Sequence, residues 1–378
     1  MILTQKYGGI IFNLNKTNMK KIFLILILFS AIITKAQQAE NIIIITTDGF
    51  RWQEAFKGMD ETLARDKKFN QNDSSYIYKK YWAENINERR EKLMPFMWSV
   101  LAKKGQVYGN RTLGNKVNNA NPYWFSYPGY NEIMTGYADT LINSNHYPVN
   151  PNVTILEYLN KQPKIKGKVA AFGAWDAFDN ILNEKRAGFP VISAFDKVGG
   201  KNPTEKQKLI NAMLADSFKP FHEEECLDVY THYGALEELK TNKPRVLYIS
   251  YGETDEWAHA GFYRSYLDAA HQVDAWIREI WNFVQNDPQY KDKTALVFTT
   301  DHGRGDKVKA EWTSHGNKFE GSSELWFAAM GPKIEAKGEM KTESQLYQNQ
   351  FAQTMAKIMG YTFEAEHPIA KEITGIVN

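Results

Sequence analysis

The chain has 378 residues, 43% hydrophobic and 24% charged, with 46 Lys and Arg against 44 Asp and Glu. Five of the lysines (Lys6, Lys16, Lys20, Lys21 and Lys35) lie in residues 1–36, which hold no acid, so removing that stretch turns a formal charge of +2 into −3. That balance offers no basic surface for specific nucleic-acid binding or an anionic membrane, and a single cysteine, Cys226, excludes an intramolecular disulfide.

Residues 1–36 read as upstream residues and a secretory signal peptide. Met19-Lys20-Lys21 is a basic start, Ile22 to Thr34 an apolar run, and Ala36 a small residue before Gln37. Met19 begins a complete signal by itself, so the functional start is expected there. The run is too short to span a bilayer comfortably, so no stable membrane anchor is expected, and the mature chain is expected to be periplasmic or secreted. Residues 37–378 read as a single α/β domain with insertions at about 57–92 and 177–235, which are polar, aromatic and irregular and suit a lid or substrate pocket.

The first strand is predicted at Asn41-Ile42-Ile43-Ile44-Ile45-Thr46, a continuous β-branched run of the kind buried on both faces of a sheet. Asp48 follows it directly, in Thr46-Thr47-Asp48-Gly49. Apolar spacing predicts helices over residues 93–104 and 152–159, with the aromatic, turn-rich stretch Trp124-Phe125-Ser126-Tyr127-Pro128-Gly129 between them. A second strand is expected at Val169-Ala170-Ala171-Phe172-Gly173 and a third at Arg245 to Ser250, followed by Thr254-Asp255-Glu256-Trp257-Ala258-His259. A helix over residues 265–285 leads to a strand at Ala295 to Thr299, then to Asp301-His302 and to Thr313-Ser314-His315-Gly316. Leu325 to Ala329 is a fifth strand, and a helix over residues 348–359 closes the pattern. Strands alternating with helices predict a mostly parallel central sheet with helices on both faces.

Three strands thus deliver acid and imidazole to one sheet edge, where open α/β sheets bind ligands. Asp48, Asp255, His259, Asp301, His302 and His315 are enough for two ions of the zinc type, and Mn2+ or Mg2+ fit the same donors. Asp255 and His259, four apart, share one face of a helical turn. Each residue alone is commonplace: an Asp-His pair is more often a structural hydrogen bond, and Ser126 beside Pro128-Gly129 more often a turn residue. Together they suit two-metal displacement at phosphorus, with Ser126 supplying the attacking oxygen.

On these motifs the chain resembles the alkaline phosphatase superfamily over nearly all of its mature length. Ser126-Tyr127-Pro128-Gly129 running on to Thr135-Gly136 is similar to the nucleophile stretch of the nucleotide pyrophosphatase/phosphodiesterase branch, with Ser126 in place of Thr. Asp255 to Gly261 is similar to the family pattern Asp-x-x-Gly-His-x-x-Gly, with Ala258 for the first Gly and a shortened tail. The resemblance implies an alkaline phosphatase-like fold, one zinc on Asp255, His259 and His315, another on Asp48, Asp301 and His302, and Ser126 facing both. It further implies a small-molecule phosphate ester substrate, hydrolysed through a phosphoryl-Ser126 intermediate, with a slight lean to diesters. The sulfatase signature needs Arg where Tyr130 stands. Candidate substrate contacts are Asn145 (or Asn150), Tyr127, Trp175 and Arg186, with Lys185 and Arg186 as the cations a monoesterase would need. Glu223-Glu224-Glu225 reads as a solvated helix face. The alternatives are a phosphate monoesterase, a phosphomutase, and a catalytically silent protein binding phosphate or glycans.

Overall fold

Central strand β1 (Asn41–Thr47) is buried along its whole length and pairs in parallel with two others. This computed structural model describes residues 38–377, so the expected leader lies outside the described residues. In chain order the remaining strands are β2 (Gly105–Tyr108), β3 (Asn115–Asn118), β4 (Val169–Gly173), β5 (Val191–Ser193), β6 (Val246–Tyr251) and β7 (Thr294–Thr300). Four short ones follow: β8 (Glu324–Leu325), β9 (Phe327–Met330), β10 (Gly338–Glu339) and β11 (Ser344–Tyr347). They form an eight-stranded sheet of order β10-β2-β9-β7-β1-β6-β4-β5 and a small sheet of order β11-β3-β8. The five strands from β7 to β5 run parallel, and β9 lies antiparallel between β7 and β2. The mostly parallel α/β sheet covered on both faces is therefore present.

Alternation along the strands divides the core. Ile43, Ile45, Leu247, Ile249, Leu296 and Phe298 face a layer containing the long helix Tyr263–Asn286. Ile42, Ile44, Val246, Tyr248, Ala295 and Val297 face the layer of helices Ser126–Thr135, Ile155–Asn160 and Phe351–Ile358. Among the described residues no helix is long and apolar enough to cross a membrane.

Several elements differ from the sequence reading. The helix expected over residues 93–104 is broken: one helix ends at Leu93, and a wide π-type turn spans Met97–Leu101. Pro95 makes the break, since it lacks an N–H and keeps Met94 out of helical backbone; Asp274 on the long helix then caps the next turn, accepting from Phe96 N at 2.6 Å and Met97 N at 2.8 Å. Residues 57–92 hold helices Glu61–Arg65, Ser74–Tyr81 and Ile86–Leu93 rather than irregular chain. Within 177–235, β5 extends the main sheet and helix Asp228–Thr241 packs beside β6, so this stretch is partly framework. The run 325–329 divides at Trp326, whose indole donates to the Phe50 carbonyl, placing β8 and β9 in different sheets.

Candidate active site

Five of the six ligand-type side chains come from just past the carboxyl ends of β1, β6 and β7, which parallel pairing holds level, and His315 comes from the loop after the short 3-10 turn Lys309–Thr313. Asp48 follows β1; Asp255 and His259 lie on helix Glu253–His259 after β6; Asp301 and His302 follow β7. Gly49 adopts φ +57°, and a Cβ there would stand 2.4 Å from Asp255 Oδ1 and 3.0 Å from His302 Cε1. The turn after β1 closes over the site only because this residue has no side chain.

Asp48, Asp301 and His302 present ligand atoms that converge, as do Asp255, His302 and His315. His302 Nε2 is 3.1 Å from Asp48 Oδ1, 3.5 Å from Asp301 Oδ2 and 3.8 Å from Asp255 Oδ1, so this ring stands between the two groups. Its Nδ1 lies 2.8 Å from the Gly303 carbonyl, which takes the N–H there and leaves Nε2 turned to the carboxylates. His259 Nε2 is 2.9 Å from Asp255 Oδ2 and 3.0 Å from His315 Nε2. Two imidazole nitrogens facing each other at that distance suit one shared cation.

The charges point the same way. Burial and Asp48 hold the Asp301 carboxyl well above its ordinary range, and Asp301 Oδ2 is buried without a hydrogen-bond partner. Burial opposes the His302 charge, yet Asp301 and Asp48 outweigh it and lift the imidazole to about 9. Burial likewise opposes ionisation of Asp255, but Arg304, His259 and His315 hold its carboxyl well below the usual range. A proton on His302 and the Arg304 guanidinium thus supply positive charge where divalent ions fit the donors.

Ser126 is the first residue of helix Ser126–Thr135, not part of an irregular turn. Pro128 is tolerated in that first turn because its missing N–H would have had no helical partner. Ser126 Oγ is 3.3 Å from His302 Nε2 and 3.5 Å from Asp48 Oδ1, and the positive end of the helix favours an anionic oxygen there. Trp124, two residues earlier, is held at φ +58°, a strained conformation for a large side chain.

The proposed substrate contacts divide. Asn145 accepts from Tyr127 N at 3.0 Å, beside Ser126, and with Trp175 it lines a cavity of about 550 Å³ that also takes Lys185. Tyr127 does not reach that cavity: its side chain is fully buried and its hydroxyl donates to the Pro148 carbonyl at 2.8 Å. Arg186 is also taken elsewhere, by Glu157 at 2.7 Å and by the carbonyls of Pro151 and Asn152. Asn150 is buried against Asn131 and the Ile181 carbonyl. Glu225 is not on a solvated helix face but buried.

Sequence reasoning missed two supporting side chains. Arg304 donates to Asp255 Oδ1, to the Trp312 carbonyl at 2.6 Å and to the Thr313 carbonyl at 2.9 Å, tying the His315 loop to Asp255. Tyr130 donates to Asp48 Oδ2 at 3.0 Å and accepts from Ser250 at 3.1 Å, which orients that carboxylate from behind. The motif Asp301-His302-Gly303-Arg304 offered the only advance signal for Arg304.

Residues 217–359 match the sequence model of the Metalloenzyme superfamily. No curated protein matches the chain. Among solved structures, it is similar to the alkaline phosphatase PafA (TM-score 0.59, 9% identity, 90% of this chain and 99% of that one). It is also similar to murine ectonucleotide pyrophosphatase/phosphodiesterase 5 (TM-score 0.54, 12% identity, 89% and 100%). A third similar structure is the lipoteichoic acid synthase LtaP from Listeria monocytogenes (TM-score 0.53, 14% identity, 86% and 73%). At these identities the structural likeness is one of fold.

Proposed function

We propose that this chain hydrolyses phosphate esters through Ser126, with a slight lean to diesters, a reading supported by its match to the Metalloenzyme superfamily over residues 217–359 and by its fold likeness to an alkaline phosphatase and a nucleotide pyrophosphatase/phosphodiesterase. The observation that carries the reading is the placement of Ser126 Oγ, within 3.5 Å of both His302 and Asp48 at a helix N-terminus. Asp48, Asp301 and His302 would hold one divalent ion, and Asp255, His259 and His315 the other; zinc suits these donors best. Such ions, when bound, would neutralise the phosphoryl group and favour ionisation of a nearby hydroxyl.

The chain's own part is covalent. Ser126 Oγ forms a bond to phosphorus while the bond to the leaving alcohol breaks, giving phosphoryl-Ser126. Water then breaks the new bond, releasing phosphate or its monoester and restoring the hydroxyl. The helix N-terminus at Ser126 supports negative charge on the oxygen through both steps. Asn145, holding the first turn of that helix and lining the cavity, is positioned to place its amide nitrogen against a phosphoryl oxygen. A periplasmic or secreted location fits the leader-like sequence of residues 1–36.

A monoesterase is the second reading, favoured by Lys185 in the same cavity. The zinc-loaded chain is to be assayed on nitrophenyl phosphate, bis-nitrophenyl phosphate and nitrophenyl sulfate. Preference for the diester supports the lean, and preference for the monoester reverses it. No turnover with two metals bound favours a silent binding protein.

A further inference from the structure

Helix Ser126–Thr135 begins without a side-chain cap, because Phe125 stands before it in extended backbone. The approach to Ser126 is fixed from two sides instead. Asn145 accepts from Tyr127 N, and a buried carboxylate further along the helix, Glu132, holds the loop that leads into it.

Glu132 is wholly buried and forms no ion pair among the described residues. Its Oε1 accepts from Ala120 N at 2.7 Å and Asn349 N at 2.8 Å. Its Oε2 accepts from Asn121 N at 2.9 Å and Asn121 Nδ2 at 2.7 Å. Burial pushes the carboxyl up to about 7, while these four N–H groups favour its charged form. Each oxygen accepts twice, so the place calls for a carboxylate; a glutamine would turn an NH2 toward two of the donors.

Asn121 passes the restraint on. Its Oδ1 accepts from Tyr123 N at 2.9 Å and Trp124 N at 3.1 Å. Trp124 is the residue at φ +58°, a conformation that persists only where the surroundings impose it. Asn119, in the same loop, donates to the Asp301 carbonyl at 2.8 Å and to Gln348 Oε1 at 2.6 Å. The helix lies on that carbonyl as well, since a Cβ at Gly129 would fall 2.5 Å from Asp301 O. The loop and the turn carrying Asp301 and His302 are thus fastened to each other, with Ser126 Oγ between them.

We propose that Glu132 is a positioning residue for Ser126: through Asn121 it holds the strained loop that sets where the nucleophilic oxygen stands against the turn carrying Asp301 and His302. The proposal rests on the phosphoester reading above and adds to it a residue outside both convergent ligand groups.

The test compares zinc-loaded E132Q with the wild type on bis-nitrophenyl phosphate, with rates referred to folded, zinc-loaded chain. Zinc content and the inhibition constant for inorganic phosphate are expected to be unchanged. The rate at which the nitrophenyl-phosphoryl group appears on Ser126, followed by acid-quenched mass spectrometry, should fall about 10- to 100-fold, the cost of a slightly misplaced reacting group. A purely structural carboxylate would lower the melting temperature and leave that rate alone. N121A removes the acceptor of Tyr123 N and Trp124 N and should lose a similar factor. In E132Q/N121A the two losses should be less than multiplicative, as for residues that act as a unit. A wild-type rate in E132Q, or multiplicative losses in the double variant, overturns the positioning role and leaves hydrolysis through Ser126 standing. No turnover, or no adduct on Ser126, in the wild type overturns the hydrolysis reading and the positioning role with it. If E132Q does not fold, the rate in N121A decides; if neither variant folds with zinc bound, Glu132 serves stability alone and the proposal is overturned.

Discussion

Gly49 shows how little freedom the site has at the level of one residue. Its φ of +57° and the 2.4 Å approach to Asp255 Oδ1 leave no room for a methyl group. G49A is therefore expected to displace Asp255 or His302 and to lower zinc occupancy, read by elemental analysis of the purified chain. Ser126 carries the opposite expectation: S126A should keep its metal and lose turnover by about 10³-fold or more, as removal of a nucleophile does elsewhere. Arg304 acts at a distance from substrate, by fastening the carbonyls of Trp312 and Thr313 to Asp255. A lysine has one ammonium for three acceptors in different directions, so R304K should not rescue R304M. Both variants should lose about 10- to 100-fold in metal affinity, the usual cost of removing a group that orients a ligand, measured by competition with a chromogenic chelator.

At the scale of elements, two buried polar side chains fix how the long helix meets its neighbours. His232 on helix Asp228–Thr241 stacks on Trp276 at 4.8 Å, and its Nδ1 lies 3.0 Å from the Tyr251 hydroxyl. Burial, aided by Lys240, lowers its pKa to about 3. The unfolded chain, with an ordinary value near 6.5, therefore binds this proton first as pH falls. Stability contributed by neutral His232 is complete above about 6.5 and is lost toward 3, at up to about 1.4 kcal/mol per pH unit. Urea midpoints between pH 7 and 4 should fall less steeply in H232L than in the wild type. Asp274, which caps the helical turn that restarts at Pro95, should cost about 2–4 kcal/mol when replaced by Ala, because Phe96 N and Met97 N would be left buried and unpaired.

The same scale explains what the sequence could disclose. β1, β4, β6 and β7 are buried on both faces, so they appear as unbroken apolar runs that need no partner to be recognised. β2, β3, β10 and β11 are two to four residues long, several of them polar, and exist because distant segments pair with them. Asp48, Asp255, His259, Asp301 and His302 stood out because they follow strands, and His315 through its own short motif Thr313-Ser314-His315-Gly316. Tyr130 and Glu225 did not, since their surroundings come from chain 82 or more residues away in the case of Asp48 and from the Gly252 turn in the case of Glu225. Arg186 and Tyr127 were misread for the converse reason: nothing local reveals that Glu157 and the Pro148 carbonyl already hold them.

For the whole molecule, the site joins otherwise separate parts of the chain. Its residues come from positions 48 to 315, and the strands that carry them form the centre of the sheet. Metal binding should therefore stabilise the fold globally, by about 2.7 kcal/mol at 100-fold excess of free ion over Kd. Thermal unfolding with zinc and with a chelator is expected to show one shifted transition. An unshifted transition would mean that the six side chains do not hold an ion.

The most direct measurement is acid-quenched mass spectrometry of the zinc-loaded chain during turnover of bis-nitrophenyl phosphate, with peptide mapping of any covalent adduct. We expect a nitrophenyl-phosphoryl group on the peptide containing Ser126, absent from S126A, which should also lack turnover. Turnover that persists in S126A, or an adduct on another residue, would contradict nucleophilic catalysis by Ser126.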